Sequence, residues 1–396
     1  MRKTITIGEL GTVITGKTPP TTNKNYYGDY AVFIKPTDIS EQSKYTYETE
    51  EMYSKVAAEK YKSSQIPQGA ICVPCIGTIG TKMTMAPCDC YTNQSINSII
   101  CNENYDNEYV YYLIKHFLPG LKSYNLGTAS GREYVSKSNF EKIELVAEQD
   151  KTIQIKIGKF LSRYDSLIEN YQKQIKLLEE AAQRLYKEWF VDLRFPGHEN
   201  TKIVNGLPEG WEKKTLIEFT EIIMGQSPKS EYYNNEFNGL PFHQGVGSFG
   251  NRFVVDNTYS ISFTRIAEPN SVLFSVRAPV GRLNITKNRV VIGRGLAAMT
   301  HKKGFQSFLF YLLKERFFKD NIIGNGAIFA SISKDELHKL VFTTPTDDLT
   351  IRFNTIAGNI DDEIMKADSQ IRLLTEARDR LLPKLMSGEI EVGGTA

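Results

Sequence analysis

The chain has 396 residues, a length that favours two or three domains over a single core. Hydrophobic residues make up 41% and charged residues 24%, ordinary globular values that exclude a wholly disordered chain. The formal net charge of +2 excludes a histone-like polycation but leaves room for local basic surfaces. We find neither a signal peptide nor a membrane-spanning stretch of roughly 18 apolar residues, so we expect a cytoplasmic protein without membrane contact.

The first apolar runs of the chain are broken by Gly, Pro, Asn and Asp, a pattern typical of short strands. Residues 70–73 (AICV) read as one such strand, and residues 109–117 read as a helix packed on the strands. Residues 271–274 (SVLF) and 305–318 predict the same two elements later in the chain. We therefore expect two α+β globules.

Five cysteines lie in this first half: Cys72, Cys75, Cys88, Cys90 and Cys101. An odd number in a cytosolic chain argues against a disulfide framework. The spacing of the first four resembles a zinc-ligand set, and the alternative is small buried thiols in strands. No cysteine has a counterpart in the repeat described next, so we expect no metal site.

The second half of the chain repeats the first, and a repeat decides the architecture. The sequence ITGKTP at 14–19 matches IMGQSP at 223–228. The strongest match is IKLLEEAAQRLYKEW at 175–189 against IRLLTEARDRLLPKL at 371–385. Several matches in the same order indicate two copies of one structural module.

Each copy ends in a long helix with apolar residues in a heptad frame, and residues 149–192 contain no proline. At about 1.5 Å per residue such a helix spans roughly 60 Å. Its apolar stripe must be covered, so we expect the two helices to pair antiparallel about a pseudo-twofold axis; the alternative is a plain dimerisation coiled coil. The expected intrachain seam is Ile168, Tyr171, Ile175 and Leu178 against Ile364, Ala367, Ile371 and Leu374.

The predicted domain organisation has five parts. They are a globule at 1–148, a spacer helix at 149–195, a linker at 196–210, a second globule at 211–345, and a second spacer helix with a tail at 346–396.

Residues 11–18 (GTVITGKT) fit the phosphate-loop pattern GxxxxGK[ST]. That chemistry also needs a helix that starts at the Lys-Thr pair, and here two prolines follow instead. The repeat carries Thr220, Gln226 and Ser227 where the motif requires Gly, Lys and Thr. The residues of this motif are better explained as residues that favour a turn than as a phosphate loop. Nucleotide binding stays as an alternative. The five histidines are scattered and no other catalytic motif is present, so we expect no catalytic site and no cofactor.

Basic and polar residues are distributed unevenly between the copies. Residues 269–314 hold eight Lys or Arg and no acidic residue, which suits a phosphate-binding surface. Residues 65–102 hold only Lys82 and Asp89 as charges, but offer Asn and Gln, which suit adenine edges as Arg suits guanine. The candidate DNA contacts are Lys35, Lys82, Asn93, Gln94 and Arg132 in the first copy, and His243, Gln244, Arg252, Arg277, Arg282, Lys287 and Arg294 in the second.

Over its full length the chain resembles the specificity (S) subunit of type I restriction–modification systems. The resemblance is carried by IGELGTVITGKTPP and its copy LIEFTEIIMGQSP, by the GTIG and APVG turns, and by the helix ends AAQRLYKEWFVDLRFPG and EARDRLLPKLMSGEI. It implies two target-recognition domains joined by helical regions and a bipartite double-stranded DNA target. It also implies methyltransferase (M) subunits that bind S-adenosylmethionine and ATP-driven restriction (R) subunits, which supply all the chemistry.

Two other classes of function remain open at this point. One is a nucleotide-binding protein that uses residues 11–18. The other is a coiled-coil scaffold that binds only protein, which would leave the arginine-rich, acid-free stretch unexplained.

Overall fold

The computed structural model describes residues 1–77, 79–125, 127, 133–317 and 331–392. The chain divides into two compact units. Unit 1 is Met1–Lys173 with Asp368–Ala396, and unit 2 is Gln174–Ala367. Each unit therefore contains one globular part and pieces of two long helices. None of the described helices is long and apolar enough to cross a membrane.

The globular part of unit 1 alternates short strands with short helices. Its described strands are β1 Arg2–Thr6, β2 Gly11–Thr15, β3 Tyr27–Gly28, β4 Ala31–Ile34, β5 Met52–Tyr53, β6 Ile71–Pro74, β7 Thr84–Met85, β8 Tyr91–Thr92, β9 Ile96–Cys101 and β10 Glu144–Glu148. Its described α-helices are α1 Ile7–Leu10, α2 Lys55–Lys60, α3 Asn107–Phe117 and α4 Lys137–Glu141. The long helix α5, Lys151–Phe190, follows.

The core of unit 1 forms between a four-stranded sheet, in the order β2-β9-β6-β7, and helix α3. Strand β6 is buried along its whole length, as its unbroken apolar sequence predicts. Helix α3 begins where the Asp106 carboxylate accepts a hydrogen bond from the Tyr109 amide at 3.0 Å. The rings of Tyr109, Tyr111 and Tyr112 are then at most 1% exposed. Burial of each large apolar side chain stabilises the fold by about 1.5–3 kcal/mol.

The globular part of unit 2 has the corresponding elements. Its described strands are β11 Ile203–Val204, β12 Leu207–Pro208, β13 Glu212–Thr215, β14 Thr220–Met224, β15 Tyr233–Asn234, β16 Leu240–His243, β17 Tyr259–Ser260, β18 Ile266–Ala267, β19 Val272–Ser275, β20 Leu283–Ile285, β21 Val290–Ile292, β22 Leu296–His301 and β23 Val341–Thr344. Its described α-helices are α6 Leu216–Phe219, α7 Gln306–Phe317 and α8 Lys334–His338, and the second long helix is α9 Asp347–Ser387.

The strand order repeats between the two units. The sheet β14-β22-β19-β20 of unit 2 has the order of β2-β9-β6-β7 in unit 1. A second sheet in each unit contains one parallel pair, β4 with β8 and β16 with β21. The first and last strands of each globular part also pair antiparallel, β1 with β10 and β13 with β23. The chain therefore leaves each globular part beside its point of entry and continues directly into a long helix.

The long helices are held together by apolar cores in both units. In unit 1, Ile157 and Leu161 of α5 belong to the same core as Leu382 and Leu385 of α9. In unit 2, the shared core contains residues from both helices: Ala182, Tyr186, Trp189, Phe353, Ala357 and Ile364.

The helix segments of unit 2 run antiparallel. The ring of Tyr186 in α5 lies 5.7 Å from that of Phe353 near the start of α9. Earlier in α5, Glu179 shares the guanidinium of Arg252 with Asp361, which comes later in α9. Residue order along one helix is thus reversed along the other.

The predicted seam residues lie on the inner faces to different degrees. Ile168 is 2% exposed and Ile364 is fully buried. Ile175 and Leu178 pack against the unit 2 core that contains Ile364. Of the other four predicted seam residues, Ala367 is buried at 5% exposure. The remaining three are half-buried: Tyr171, Ile371 and Leu374.

Candidate nucleic-acid interface

Two glycine turns of unit 2 lie directly against each other. After β14, the backbone amides of Gly225 and Gln226 donate to the carbonyls of Leu296 and Ile292, each at 2.9 Å. A side chain at position 225 would place its Cβ 2.1 Å from the carbonyl oxygen of Gly293. Only a residue without a Cβ allows this approach. We call this contact, and its counterpart in unit 1, the turn junction.

Polar side chains gather at the turn junction of unit 2. The Ser227 hydroxyl donates to the amide oxygen of Gln244 at 2.7 Å and accepts from the backbone amide of Arg294 at 3.2 Å. Gln244 directly follows β16, and Arg294 comes two residues after β21. Because these two strands are parallel neighbours, their ends bring both residues to the same place. The side chains of Gln244 and Arg294 are exposed there.

A groove of about 800 Å³ runs beside this junction. The ring of Tyr233 stacks on Phe242 at 4.6 Å between centroids, and its hydroxyl donates to the Pro228 carbonyl at 2.8 Å. Burial raises the pKa of Tyr233, and the nearby charge of Arg294 acts against that rise. The groove thus combines an aromatic ring, an amide and a guanidinium, groups that proteins use to contact bases and phosphates.

Unit 1 contains the same backbone arrangement. The amides of Gly16 and Lys17 donate to the carbonyls of Ile96 and Thr92 at 3.1 and 2.9 Å. A Cβ on Gly16 would lie 2.1 Å from the Thr92 carbonyl oxygen. Glycine is therefore required here for the same steric reason as at position 225.

The side chains at the two junctions differ where the backbone does not. Thr18 occupies the position of Ser227, and its hydroxyl donates to the amide oxygen of Gln94. Gln94 in turn takes the place that Arg294 has in unit 2, and Lys17 is exposed beside it. The same backbone arrangement therefore exposes an amide and an amine in unit 1, and a guanidinium and an amide in unit 2.

This geometry also decides the phosphate-loop alternative. Residues Gly11–Thr15 form strand β2, and the next helical turn is Lys24–Tyr26. A phosphate loop needs a helix N-terminus at its Lys-Thr pair, with free amides around the phosphate. Here the Lys17 amide is already bonded to the Thr92 carbonyl. The letters of the motif serve the turn junction, and residues 11–18 do not have the geometry of a phosphate loop.

The family model of the type I restriction modification DNA specificity domain matches the sequence of this chain twice, over residues 2–180 and 208–349. The chain belongs to this family. The putative type I restriction enzyme MjaX specificity subunit of Methanocaldococcus jannaschii is 31% identical over 294 residues, 72% of this chain and 68% of that protein. The MjaIX specificity subunit of the same organism is 27% identical over 409 residues, 98% of this chain and 93% of that protein.

A solved structure shows the same fold. The type I restriction–modification S subunit from M. genitalium has a TM-score of 0.58 at 18% identity, over 97% of this chain and 96% of that chain. Together with the two family matches, this confirms the predicted class: an α+β protein with two similar domains and two long helices. Proteins of this specificity family serve in DNA recognition, as the resemblance implied.

The candidates in unit 1 differ in how far their side chains are already engaged. Gln94 is exposed, and Lys82 and Asn93 are half-buried. Lys35 donates to Glu50 at 2.7 Å and to Glu51 at 3.2 Å. Burial acts to lower the pKa of Lys35, but these two carboxylates outweigh it and the pKa is raised. Arg132 lies outside the described residues.

Four basic candidates of unit 2 keep their cationic groups near the surface. Arg277, Arg282 and Arg294 are exposed. Lys287 is half-buried, with its ammonium 4.7 Å from the ring centroid of Phe253. Of these, Arg294 lies at the turn junction, which makes it the strongest candidate to reach a base.

Arg252 must be withdrawn as a DNA-contact candidate. Its side chain is 2% exposed, and its guanidinium is paired with Glu179 at 3.2 Å and with Asp361. A buried guanidinium that is held by two carboxylates cannot reach a DNA duplex without breaking both pairs, which costs about 3–5 kcal/mol. Arg252 joins the globular part of unit 2 to the long helices instead.

His243 must be withdrawn for the same reason. Its side chain is fully buried, with Nδ1 2.9 Å from the Ser248 hydroxyl and Nε2 3.1 Å from Asp256. Both ring nitrogens therefore have partners inside the protein. The residue holds the end of β16 in place, from which the neighbouring Gln244 extends to the surface.

Sequence reasoning missed several residues of the turn junctions. Thr18, Ser227 and Tyr233 were not among the candidates, although each contributes to a junction or its groove. In the sequence, Lys17 stands out only as part of the phosphate-loop pattern. The repeat itself held the signal, because a hydroxyl residue follows the Gly-x pair in both copies.

The cysteines are unpaired thiols. Cys72, Cys75 and Cys90 are buried, and burial raises the pKa of Cys72 and of Cys75 to about 12. Within the described ranges, no three His, Cys, Asp or Glu side chains come together as a metal site would require. Cys72, Cys75 and Cys90 are thus buried thiols, whereas Cys88 is exposed.

Proposed function

We propose that this chain reads a bipartite DNA target, one half-site through each turn junction, and directs partner subunits to it. The observation that carries the proposal is that both units build the same backbone junction but present different side chains from it. The shared backbone junction places one side chain toward the DNA in each unit. Because this side chain is Gln94 in unit 1 and Arg294 in unit 2, the two units select different bases. The two family matches, one over each copy, agree with this division of labour.

The chemistry of the junction side chains indicates which bases they suit. Arginine forms two parallel hydrogen bonds to O6 and N7 of guanine, while glutamine suits N6 and N7 of adenine. We therefore assign a guanine contact in the second half-site to Arg294 and an adenine contact in the first to Gln94. Exposed cations farther from the junction, such as Arg277 and Arg282, then serve as phosphate contacts.

Methyltransferase and restriction subunits would supply the catalysis, and the long helices would dock them. Leu177 of α5 is 65% exposed, and Leu373 of α9, which matches it in the repeat, is 48% exposed. Large apolar side chains exposed at equivalent positions of two helices favour protein contacts. Two equivalent docking points would suit two copies of the same methyltransferase subunit.

The test uses the chain in complex with its methyltransferase partner, on the target identified from the methylated host genome. Arg294→Ala should weaken binding by about 1–3 kcal/mol and relax one position of one half-site only. Arg289→Ala is the matched control, because Arg289 comes from the same basic stretch but pairs with Glu268 at 3.1 Å. That control should leave the target sequence unchanged.

Other outcomes would change the interpretation. If Arg294→Ala weakened all sequences equally and flattened the salt dependence, Arg294 would be a phosphate contact. If the complex bound DNA without any sequence preference, the reading function would be refuted and the scaffold alternative revived. The purified chain alone should neither methylate DNA nor hydrolyse ATP.

A further inference from the structure

A buried cation occupies the same place in both units. The Lys44 carbonyl accepts the amide of Met85 at 2.8 Å, and the Arg252 carbonyl accepts the amide of Ile285 at 2.9 Å. Met85 and Ile285 are equivalent, since each pairs with the first residue of the central strand, β6 or β19. Lys44 and Arg252 are therefore structural counterparts. Both side chains are only 2% exposed.

Each cation also lies against an aromatic ring at the equivalent position of the two units. The Lys44 ammonium is 5.2 Å from the ring centroid of Tyr111 in α3, and the Arg252 guanidinium carbon is 4.3 Å from that of Phe310 in α7. Such contacts are attractive because the ring face carries negative charge. The position of the cation is thus common to the two copies, whereas its carboxylate partners differ.

In unit 1 the cation forms its ion pair within the globular part. Lys44 pairs with Glu108 in the first turn of α3. The nearby aspartate of the long helix, Asp165 in α5, is paired instead with Arg378 of α9. The Tyr112 hydroxyl of α3 donates a hydrogen bond to this aspartate. The charged pair of unit 1 therefore joins helix to helix.

In unit 2 the charges are connected differently. Asp361 of α9 is the repeat counterpart of Asp165, but the counterpart of Arg378 is Ala182, which has no charge. Arg252 of the globular part supplies the missing positive charge and pairs with Asp361 and with Glu179 of α5. The Tyr311 hydroxyl also donates to Asp361 at 2.9 Å. One side chain thus fastens the globular part to both long helices.

We propose that this arrangement, the Arg252 bridge of Arg252 with Glu179 and Asp361, fixes the angle of the second reading domain on the helices and so sets the allowed gap between half-sites. The inference rests on the proposed function. Apolar contacts are non-directional and tolerate small rotations, whereas a guanidinium paired with carboxylates on two helices keeps both ion pairs in only one orientation. Arg252 is a positioning residue, acting through the domain that carries Arg294.

The experiment uses the complex with the methyltransferase partner and a DNA library in which the two half-sites are fixed and the gap length varies. The test variant is Arg252→Met with Asp361→Asn and Glu179→Gln, which removes the bridge without leaving a buried charge unpaired. Methylation at gaps one base pair longer or shorter should rise at least about tenfold relative to the native gap, the ratio that about 1.4 kcal/mol corresponds to. Both half-site sequences should stay unchanged.

The matched control is Lys44→Met with Glu108→Gln, which removes the counterpart pair inside the globular part of unit 1 and should leave the gap preference intact. Arg252→Lys, which keeps the charge but not the planar fork, should broaden the gap less than the triple variant. An unaltered gap preference in the folded triple variant, a changed half-site sequence, or equal broadening in the Lys44 control would each overturn the proposal. If the triple variant fails to fold, the gap profile of Arg252→Lys decides. Absence of any gapped target for the native complex would refute the proposed function itself.

Discussion

Replacing Ile364 by alanine tests the packing between the long helices of unit 2. Ile364 lies on α9 and is fully buried in the core that also contains Tyr186 of α5 and Phe353. The substitution removes three carbons, worth about 2.4 kcal/mol at about 0.8 kcal/mol for each buried methylene. The cavity left behind adds to this, so we expect a loss of about 3–4 kcal/mol, within the range of about 2–5 kcal/mol for such changes.

The two tryptophans of the chain provide a probe specific to this unit. Trp189 and Trp211 both belong to the core of unit 2, and the sequence contains no others. Tryptophan fluorescence during urea or thermal unfolding therefore follows unit 2. For a unit of roughly 200 residues, a loss of about 3 kcal/mol should lower the Tm by about 6–12 °C.

The control is Ile356→Ala, which makes the same chemical change on the same helix. Ile356 is 43% exposed, so its loss should change the unfolding free energy by less than about 0.5 kcal/mol. Equal effects of the two substitutions, or an Ile364→Ala protein as stable as the native one, would show that the helices are not joined by this core.

Three further predictions follow from buried contacts. Arg378→Met should lower the unfolding free energy of unit 1 by about 3 kcal/mol, because it leaves the buried carboxylate of Asp165 without its ion-pair partner. Adding Asp165→Asn to that variant should restore most of the loss in a denaturant titration. Gly225→Ala should abolish sequence-specific binding in a gel-shift assay, since its Cβ would lie 2.1 Å from a backbone carbonyl; retained binding would contradict the junction geometry. In the native chain near neutral pH, a thiol reagent should modify Cys88 first, because Cys88 is the exposed cysteine. Burial raises the pKa of all five thiols, so near neutral pH they stay protonated and access decides the order of reaction. Simultaneous fast modification of all five would contradict that burial.

The repeat made most of the architecture predictable from the sequence. Heptad spacing predicted both long helices, and unbroken apolar runs predicted the central strands β6 and β19. Strands such as β3 and β5 have only two residues each, too few to show an alternating pattern. Their existence depends on neighbours distant in the chain, so no local signal could reveal them.

Side-chain roles were harder to predict, for a physical reason. Arg252 and Arg294 look alike in sequence, but Asp361, which binds Arg252, is 109 residues away. Whether an arginine is buried with a carboxylate or exposed at a turn depends on such distant contacts. The letters of residues 11–18 misled for the same reason, since the turn that requires Gly16 comes from residues 92–96.

The central claim is that each unit reads its own half-site, and single-molecule sequencing of methylated DNA tests it most directly. The host carries the partner methyltransferase with either the native chain or a chain whose residues 205–345 come from a relative. The native target should consist of two different short blocks around a non-specific gap. For readers on one face of the duplex, the block centres should lie about one helical turn, roughly 34–36 Å, apart. The exchange should change one block and leave the other block and the gap length as they were. Methylation at one continuous site, or an exchange that alters both blocks, would contradict the claim that each unit reads its own half-site.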